Sequence, residues 1–252
     1  MIRVSLLAVL LAFSACAEEK PAGTKVVVFA AASLREAFLL LEPEMHPGVR
    51  VTFHFAGSQE LRTQIEHGAR SDIFASADVY HMNELHRAGR VLVAEVFAKN
   101  EPVVVVSAEQ VPTLLSFFDL PSARRIVVGA PSVPIGRYTQ SILEKAGSEF
   151  RGRVRANVIS EELHVRHVLA KISMGEADAG IVYRTDALSA ADKVLVLPIP
   201  ANLNVMAEYP IAILREAVNP LLAKSFFDLV LSERGQAILA RSGFLAAKRN
   251  DG

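Results

Sequence analysis

The stretch Lys25-Val-Val-Val-Phe-Ala-Ala-Ala-Ser33-Leu-Arg-Glu36-Ala-Phe38 hands a short β-branched run directly to a helical pattern, and this handover decides the fold class. Residues 25–29 read as a strand. Across residues 34–45, apolar positions at Leu34, Ala37, Phe38 and Leu41 line one helical face. Ser33 and Glu36 have the S-x-x-E spacing of a capping box that opens this helix. The same grammar recurs down the chain. Residues 49–55 alternate as a strand, 61–67 return as a helix stopped by Gly68, and 72–76 form a strand followed by a helix over 79–88. In the second half, 102–106 and 125–129 are apolar runs of the kind buried in parallel sheets. Helices follow over 136–146 and 163–174, strands over 179–183 and 209–214, and two amphipathic helices over 220–231 and 234–241 close the chain. Such alternation predicts an α/β protein with mainly parallel sheets flanked by helices and right-handed crossovers.

Four segments put Ser, Gly or Tyr where a strand gives way to a helix: Phe29-Ala-Ala-Ala-Ser33-Leu34, Phe55-Ala-Gly-Ser58-Gln59, Val133-Pro-Ile-Gly136 and Gly180-Ile-Val-Tyr183. A helix start presents unpaired N–H groups and the positive end of the macrodipole, so several starts aimed at one cleft can hold an anion without a charged side chain. Each residue also has a plainer role available. Ser33 and Ser58 can be N-caps, Tyr183 an edge-packed aromatic, and Pro134-Ile-Gly136 a turn that opens a helix.

Met1-Ile-Arg3 followed by an apolar run over residues 4–13 and the small residues Ser14, Ala15, Cys16 and Ala17 fits a secretory signal, taken as residues 1–16. The run is too short to span a bilayer, which needs ~20 residues. Two processing readings compete. Ala15-Cys16-Ala17 satisfies ordinary small-x-small cleavage, while Phe13-Ser-Ala-Cys16 resembles a lipobox with Cys16 as the lipidation candidate. A lone thiol cannot form an internal disulfide, and Cys16 is the single cysteine, so lipidation gives it a purpose. The expected location is the periplasm or the outer face of the cell membrane.

With 27 basic and 27 acidic residues and 51% hydrophobic content, the chain is an ordinary globular one with an ample core. The balance of charge gives no footprint for nucleic acid. Ala56-Gly-Ser58-Gln-Glu60 fails the G-x-S-x-G elbow at both glycines, and no P-loop or dinucleotide fingerprint is present, so catalysis has no support in sequence. Asp72 and Asp78 bracket a strand end, and Glu161 and Glu162 read as a solvated helix start. Zinc binding is the rival class. His164 with His167, and His81 with His86, form pairs on predicted helices, but neither fits H-E-x-x-H and no Cys is available to help.

The segments above, together with Gln64-Ile-Glu-His-Gly68, Asp72-Ile-Phe-Ala-Ser-Ala-Asp78, Glu208-Tyr-Pro210 and Ser242-Gly-Phe244, fall in the order seen in periplasmic molybdate-binding proteins of ABC transporters. The resemblance covers essentially everything after the leader. It implies a two-lobed type II periplasmic binding-protein fold, with residues 24–102 plus 208–252 as lobe one, 103–207 as lobe two, and the ligand in the cleft between them. It implies that molybdate, and also tungstate, is held by Ser33 and Ser58 from lobe one and by Ile135, Val165 and Tyr183 from lobe two. Ile135 and Val165 would contribute backbone N–H only. His164 stands where the family carries an acidic or amide residue. No cofactor is expected, the metal being bound only as its oxyanion. The implied partner is an ABC permease, served by a monomeric binding protein. Another tetrahedral oxyanion such as sulfate remains the alternative ligand, since discrimination would rest on cavity size at equal charge.

Overall fold

The computed structural model describes residues 25–108 and 113–247, so Cys16 and the rest of the signal lie outside the described residues. The chain builds β1 (Lys25–Ala31), α1 (Arg35–Leu41), β2 (Arg50–Ala56), α2 (Ser58–Glu66), β3 (Ile73–Ala75), α3 (Val79–Arg87) and β4 (Val91–Asn100). It continues with β5 (Pro102–Ser107), β6 (Ile126–Gly129), α4 (Pro134–Lys145), α5 (Ser148–Ala156), β7 (Val158–Glu162), α6 (Val165–Ser173), β8 (Ala179–Tyr183), α7 (Arg184–Leu188) and β9 (Val194–Leu197). The last elements are β10 (Ala207–Leu214), α8 (Pro220–Leu231), α9 (Glu233–Arg241) and β11 (Leu245–Ala246). Among the described residues no helix is long and apolar enough to cross a membrane.

Two sheets result, one of six strands in the order β11-β4-β10-β3-β1-β2 and one of five in the order β7-β6-β8-β5-β9. The chain passes between them twice, at Glu101 and again between β9 and β10. In the first sheet β1 is parallel to β2 and β3, but β10 runs antiparallel to both β3 and β4. In the second, β6 is parallel to β7 and β8, while β5 runs antiparallel to β8 and β9. The α/β layering agrees with the sequence, but the expectation of mainly parallel sheets is corrected to mixed ones. Burial on both faces makes a strand such as Pro102-Val-Val-Val-Val-Ser107 uniformly apolar whichever way it runs, so its composition carries no direction.

Helices cover the sheets and bury two aromatic-rich faces in the first. Phe38 packs against Phe53, Phe97 and Phe226 on one side. Phe29, Leu61, Phe74, Met82 and Leu85 fill the other. A buried carboxylate steadies each sheet at the foot of a central strand. Asp72 accepts from the N–H groups of Val27, Val218 and Asn219, and Asp178 accepts from those of Arg124 and Arg125 and from the Arg125 guanidinium. Both are therefore structural; buried carboxylates with several donors hold strands in register.

Two local expectations are also corrected. The capping box at Ser33 and Glu36 does not form: Ser33 lies inside a 3-10 turn, Ala32–Leu34, and α1 has no side-chain cap. Tertiary partners win, with Ser33 bonded to Tyr209 and Glu36 paired with Arg166. Glu161 and Glu162 end the edge strand β7 instead of starting a helix, and Glu162 pairs with Lys171. The longest strand, β4, carries no alternation that would announce it, since Leu92, Val93, Ala94 and Glu95 are consecutively exposed.

Candidate functional site

All five residues named from the sequence, Ser33, Ser58, Ile135, Val165 and Tyr183, line a single pocket between the two sheets. It encloses about 210 Å³ of atom-free space, its open mouth included. The enclosed part of that space is small, of the size of a small inorganic ion.

Strand ends put these residues there. β1 ends at Ala31 and turns at once into the 3-10 turn that carries Ser33. β2 ends at Ala56, and Ser58 is the first residue of α2. On the other side Ile135 is the second residue of α4, Val165 the first of α6, and Tyr183 the residue preceding α7. None of the residues flanking these starts, Ala31, Gly57, Val133, His164 and Tyr183, supplies a side-chain cap. Ser58 is not the N-cap its sequence position allows: Gly57 takes that place, and the serine hydroxyl accepts from the Ala77 N–H at 3.0 Å. Gly136 allows α4 to begin so close to β6: a Cβ there would sit 2.0 Å from the Ala130 carbonyl oxygen.

The hydroxyls are buried. Ser33 is 3% exposed, Ser58 1% and Tyr183 1%. Among the described residues the Tyr183 phenol has no hydrogen-bond partner, an arrangement that costs free energy unless a ligand accepts from it. Burial pushes its pKa well above the ordinary phenol value, so it stays a donor.

Among the described residues no Asp, Glu, Lys or Arg lines the pocket. His164 does line it, and burial together with the neighbouring His167 pushes its imidazole down to about 4, against a smaller opposing pull from Glu162. The ring is neutral at neutral pH. Its expected partnership with His167 is a ring contact, with centroids 3.6 Å apart, and among the described residues no group of three or more His, Cys, Asp and Glu is placed to hold a metal ion. His81 is used elsewhere, meeting the Ser132 carbonyl oxygen through Nε2 at 2.9 Å.

Contacts bridge the two sides around the pocket. Gln59 Nε2 donates to the Leu163 carbonyl at 2.7 Å, Glu36 pairs with Arg166, and the Arg137 guanidinium lies 3.9 Å over the Tyr80 ring. Arg166 in turn reaches Asp186, a fully buried carboxyl pushed up to about 6 by its burial in spite of that arginine. Sequence reasoning assigned no role to Tyr209, Asn100, Gln59 or Arg166. Tyr209 lay within a quoted motif, whereas Asn100 ends a strand whose pattern is silent.

Residues 26–245 match the family model described as bacterial extracellular solute-binding protein. The chain belongs to this family. Among relatives of this solute-binding protein, the molybdate-binding protein ModA of Mycobacterium tuberculosis strain H37Rv is 40% identical over 244 residues, covering 91% of each chain. The periplasmic molybdate-binding protein of Azotobacter vinelandii superposes with a TM-score of 0.79 at 20% identity, over 88% of this chain and 100% of that one. The sulfate-binding protein SubI of M. tuberculosis superposes equally well, with a TM-score of 0.79 at 17% identity, over 89% and 88%. The two-lobed fold is thus common to binders of different oxyanions, and the fold alone does not choose the ligand.

Proposed function

We propose that this solute-binding protein captures molybdate between its two sheets and delivers it to an ABC permease. The observation that carries the reading is the set of buried donors around one small pocket, above all the unpartnered Tyr183 hydroxyl. Molybdate is a tetrahedral dianion with acceptors only, and a pocket of hydroxyl and N–H donors satisfies it with charge-assisted bonds. The 40% identity to a protein named for molybdate supports this ion over sulfate. Tungstate has the same charge and shape and is proposed as a second ligand.

In this reading Ser33 and Ser58 donate from one side and the Ile135 and Val165 N–H groups and the Tyr183 hydroxyl from the other. The sheets act as lobes, 24–102 with 208–252 and 103–207, that close on the ion. Donors drawn from both lobes bind the closed form better than the open one, which turns occupancy into a shape that a permease can read. The protein acts as a monomer outside the cytoplasmic membrane, with Cys16 as a lipid anchor, and carries out no reaction on its cargo.

Thermal unfolding titrated with molybdate, tungstate, sulfate, phosphate and zinc tests the reading. A ligand at ~1,000 times its Kd adds about 4.1 kcal/mol of apparent stability. A rise with molybdate and tungstate is expected. A rise with sulfate alone would replace the ligand, and one with zinc alone would discard the anion site.

A further inference from the structure

We infer that His164 is a further ligand-contacting residue of the pocket, whose Nδ1 takes up a proton from solvent as the dianion enters and donates it to a bound oxygen, so that capture is coupled to proton uptake. The inference rests on the molybdate reading and adds to it a positive charge that the hydroxyl and N–H donors do not supply.

The backbone places the ring for this role. His164 stands in extended conformation directly before α6 and shares the pocket wall with Val165, Ser33, Ser58 and Tyr183. Its Nδ1 is buried and, among the described residues, has no hydrogen-bond partner. In particular it does not cap α6, the plain task of a side chain at this position. The residue as a whole is only half-buried, so the second ring nitrogen has water within reach. A neutral imidazole carries one proton, and hydration draws it to that nitrogen, leaving Nδ1 as a bare acceptor. A bare acceptor faces a dianion unfavourably. Protonated, the same atom becomes a charge-assisted donor.

The balance of charge favours that change. Among the described residues the pocket has no Lys or Arg, so with His164 neutral two negative charges would rest on neutral donors alone. Without ligand the ring resists protonation because it is buried and because His167 lies against it, which together hold it at about 4. An opposite charge within ~4–6 Å raises a group's affinity for a proton about 10- to 1,000-fold, and a dianion acts at the upper end. That brings the imidazole into the neutral range.

The other charged groups around it are engaged. Glu162, at the end of β7, favours the charged ring but pairs with Lys171, and Glu161 beside it is exposed. Arg166 is tied to Glu36 of α1 and Asp186 of α7, and Arg184 pairs with Glu101. The turn Ala32–Leu34 and the segment Gly57-Ser58-Gln59, which meet this end of α6 from the side of the first sheet, carry no ionisable side chain. Of the strands beneath α6, β5 and β6 bring none either, and Tyr183 of β8 stays protonated. Asp186, pushed up to about 6, is the second group able to gain a proton when an anion arrives, so the test separates the two.

Molybdate remains a dianion between about pH 8 and about pH 6, so its own chemistry is constant over the test. The wild type is titrated with sodium molybdate in a calorimeter at both pH values, each in two buffers of different ionisation enthalpy, which yields the number of protons taken up. We expect uptake of about half a proton to one proton near pH 6, and an affinity about twofold to tenfold higher there than near pH 8. His164→Asn should still bind molybdate but lose both the uptake and the pH dependence, whereas His167→Asn retains uptake. Uptake that persists unchanged in His164→Asn would assign the proton to Asp186 and overturn the inference, as would a wild type that takes up none. Should His164→Asn not fold, nitrogen-15 spectra of the wild type carry the test: both nitrogens of the His164 ring are expected to be protonated with molybdate bound, and a ring that keeps one bare nitrogen would refute the proposal. A wild type that does not bind molybdate at all would instead sink the functional reading itself.

Discussion

Helix starts at the pocket differ from helix starts elsewhere in this molecule. Away from it, α9 is opened by Ser232, whose hydroxyl accepts from the Gly235 N–H. Ser116 and Asp119 form a full capping box on the 3-10 helix Phe117–Ser122. The starts of α5 and α8 lack a side-chain cap, but Ser148, Glu149, Pro220 and Leu221 are exposed, so water serves their free groups. At the pocket the starts are both uncapped and buried. A protein tolerates that combination where something else supplies the acceptors, and the difference marks the site without reference to any relative.

Gly136→Ala should produce the largest effect on this contrast, because the added Cβ would meet the Ala130 and Gly129 carbonyls at 2.0 and 2.5 Å and push the α4 start off the pocket. We expect molybdate affinity to fall by about 3 kcal/mol, two lost bonds to a charged group, with a stability loss of about 1–3 kcal/mol from overpacking. Calorimetry and denaturant unfolding read the two separately, and unchanged affinity would remove the α4 start from the site.

Tyr183→Phe sharpens the comparison most cleanly. Its hydroxyl has no partner among the described residues, so the variant should lose about 1.5–3 kcal/mol of molybdate affinity yet keep or slightly gain stability without ligand. A variant that loses stability but not affinity would make the phenol a structural group.

Ser232→Ala is the converse case. Loss of this cap should cost ~1 kcal/mol of unfolding free energy and leave molybdate affinity untouched. If affinity moved with it, the separation between capping serines and pocket serines would fail.

The smallest effect concerns pH. The His164 imidazole takes up a proton near 6.5 when unfolded but only at about 4 when folded, so between these values the unfolded chain binds more protons. Stability of the unliganded protein should therefore fall as pH drops through that window. His164→Asn should lessen the fall, as seen in denaturant midpoints at neutral and mildly acidic pH. An identical pH dependence in the variant would mean that the imidazole titrates freely.

Much of this was legible in the linear chain. The strand-to-helix handovers at Ser33, Ser58, Pro134 and Tyr183 are local patterns, because side-chain period and helix-opening residues depend on near neighbours. The α8 boundaries, Pro220–Leu231, come directly from such signals. Strand direction was not legible, since β5 is apolar for reasons of burial alone. β4 escaped notice because four consecutive exposed residues erase its alternation.

What the sequence determined by itself was which short segments end strands and open helices, and hence which hydroxyl and N–H groups are free to face a ligand. Only the tertiary structure decided that these ends meet at one pocket, that Ser33 answers to Tyr209 in place of Glu36, and that Tyr183 is buried without a partner among the described residues. Those outcomes join residues as far apart as Ser33 and Tyr209, and a hydrogen bond of that kind is set by how two sheets pack, which no local pattern encodes.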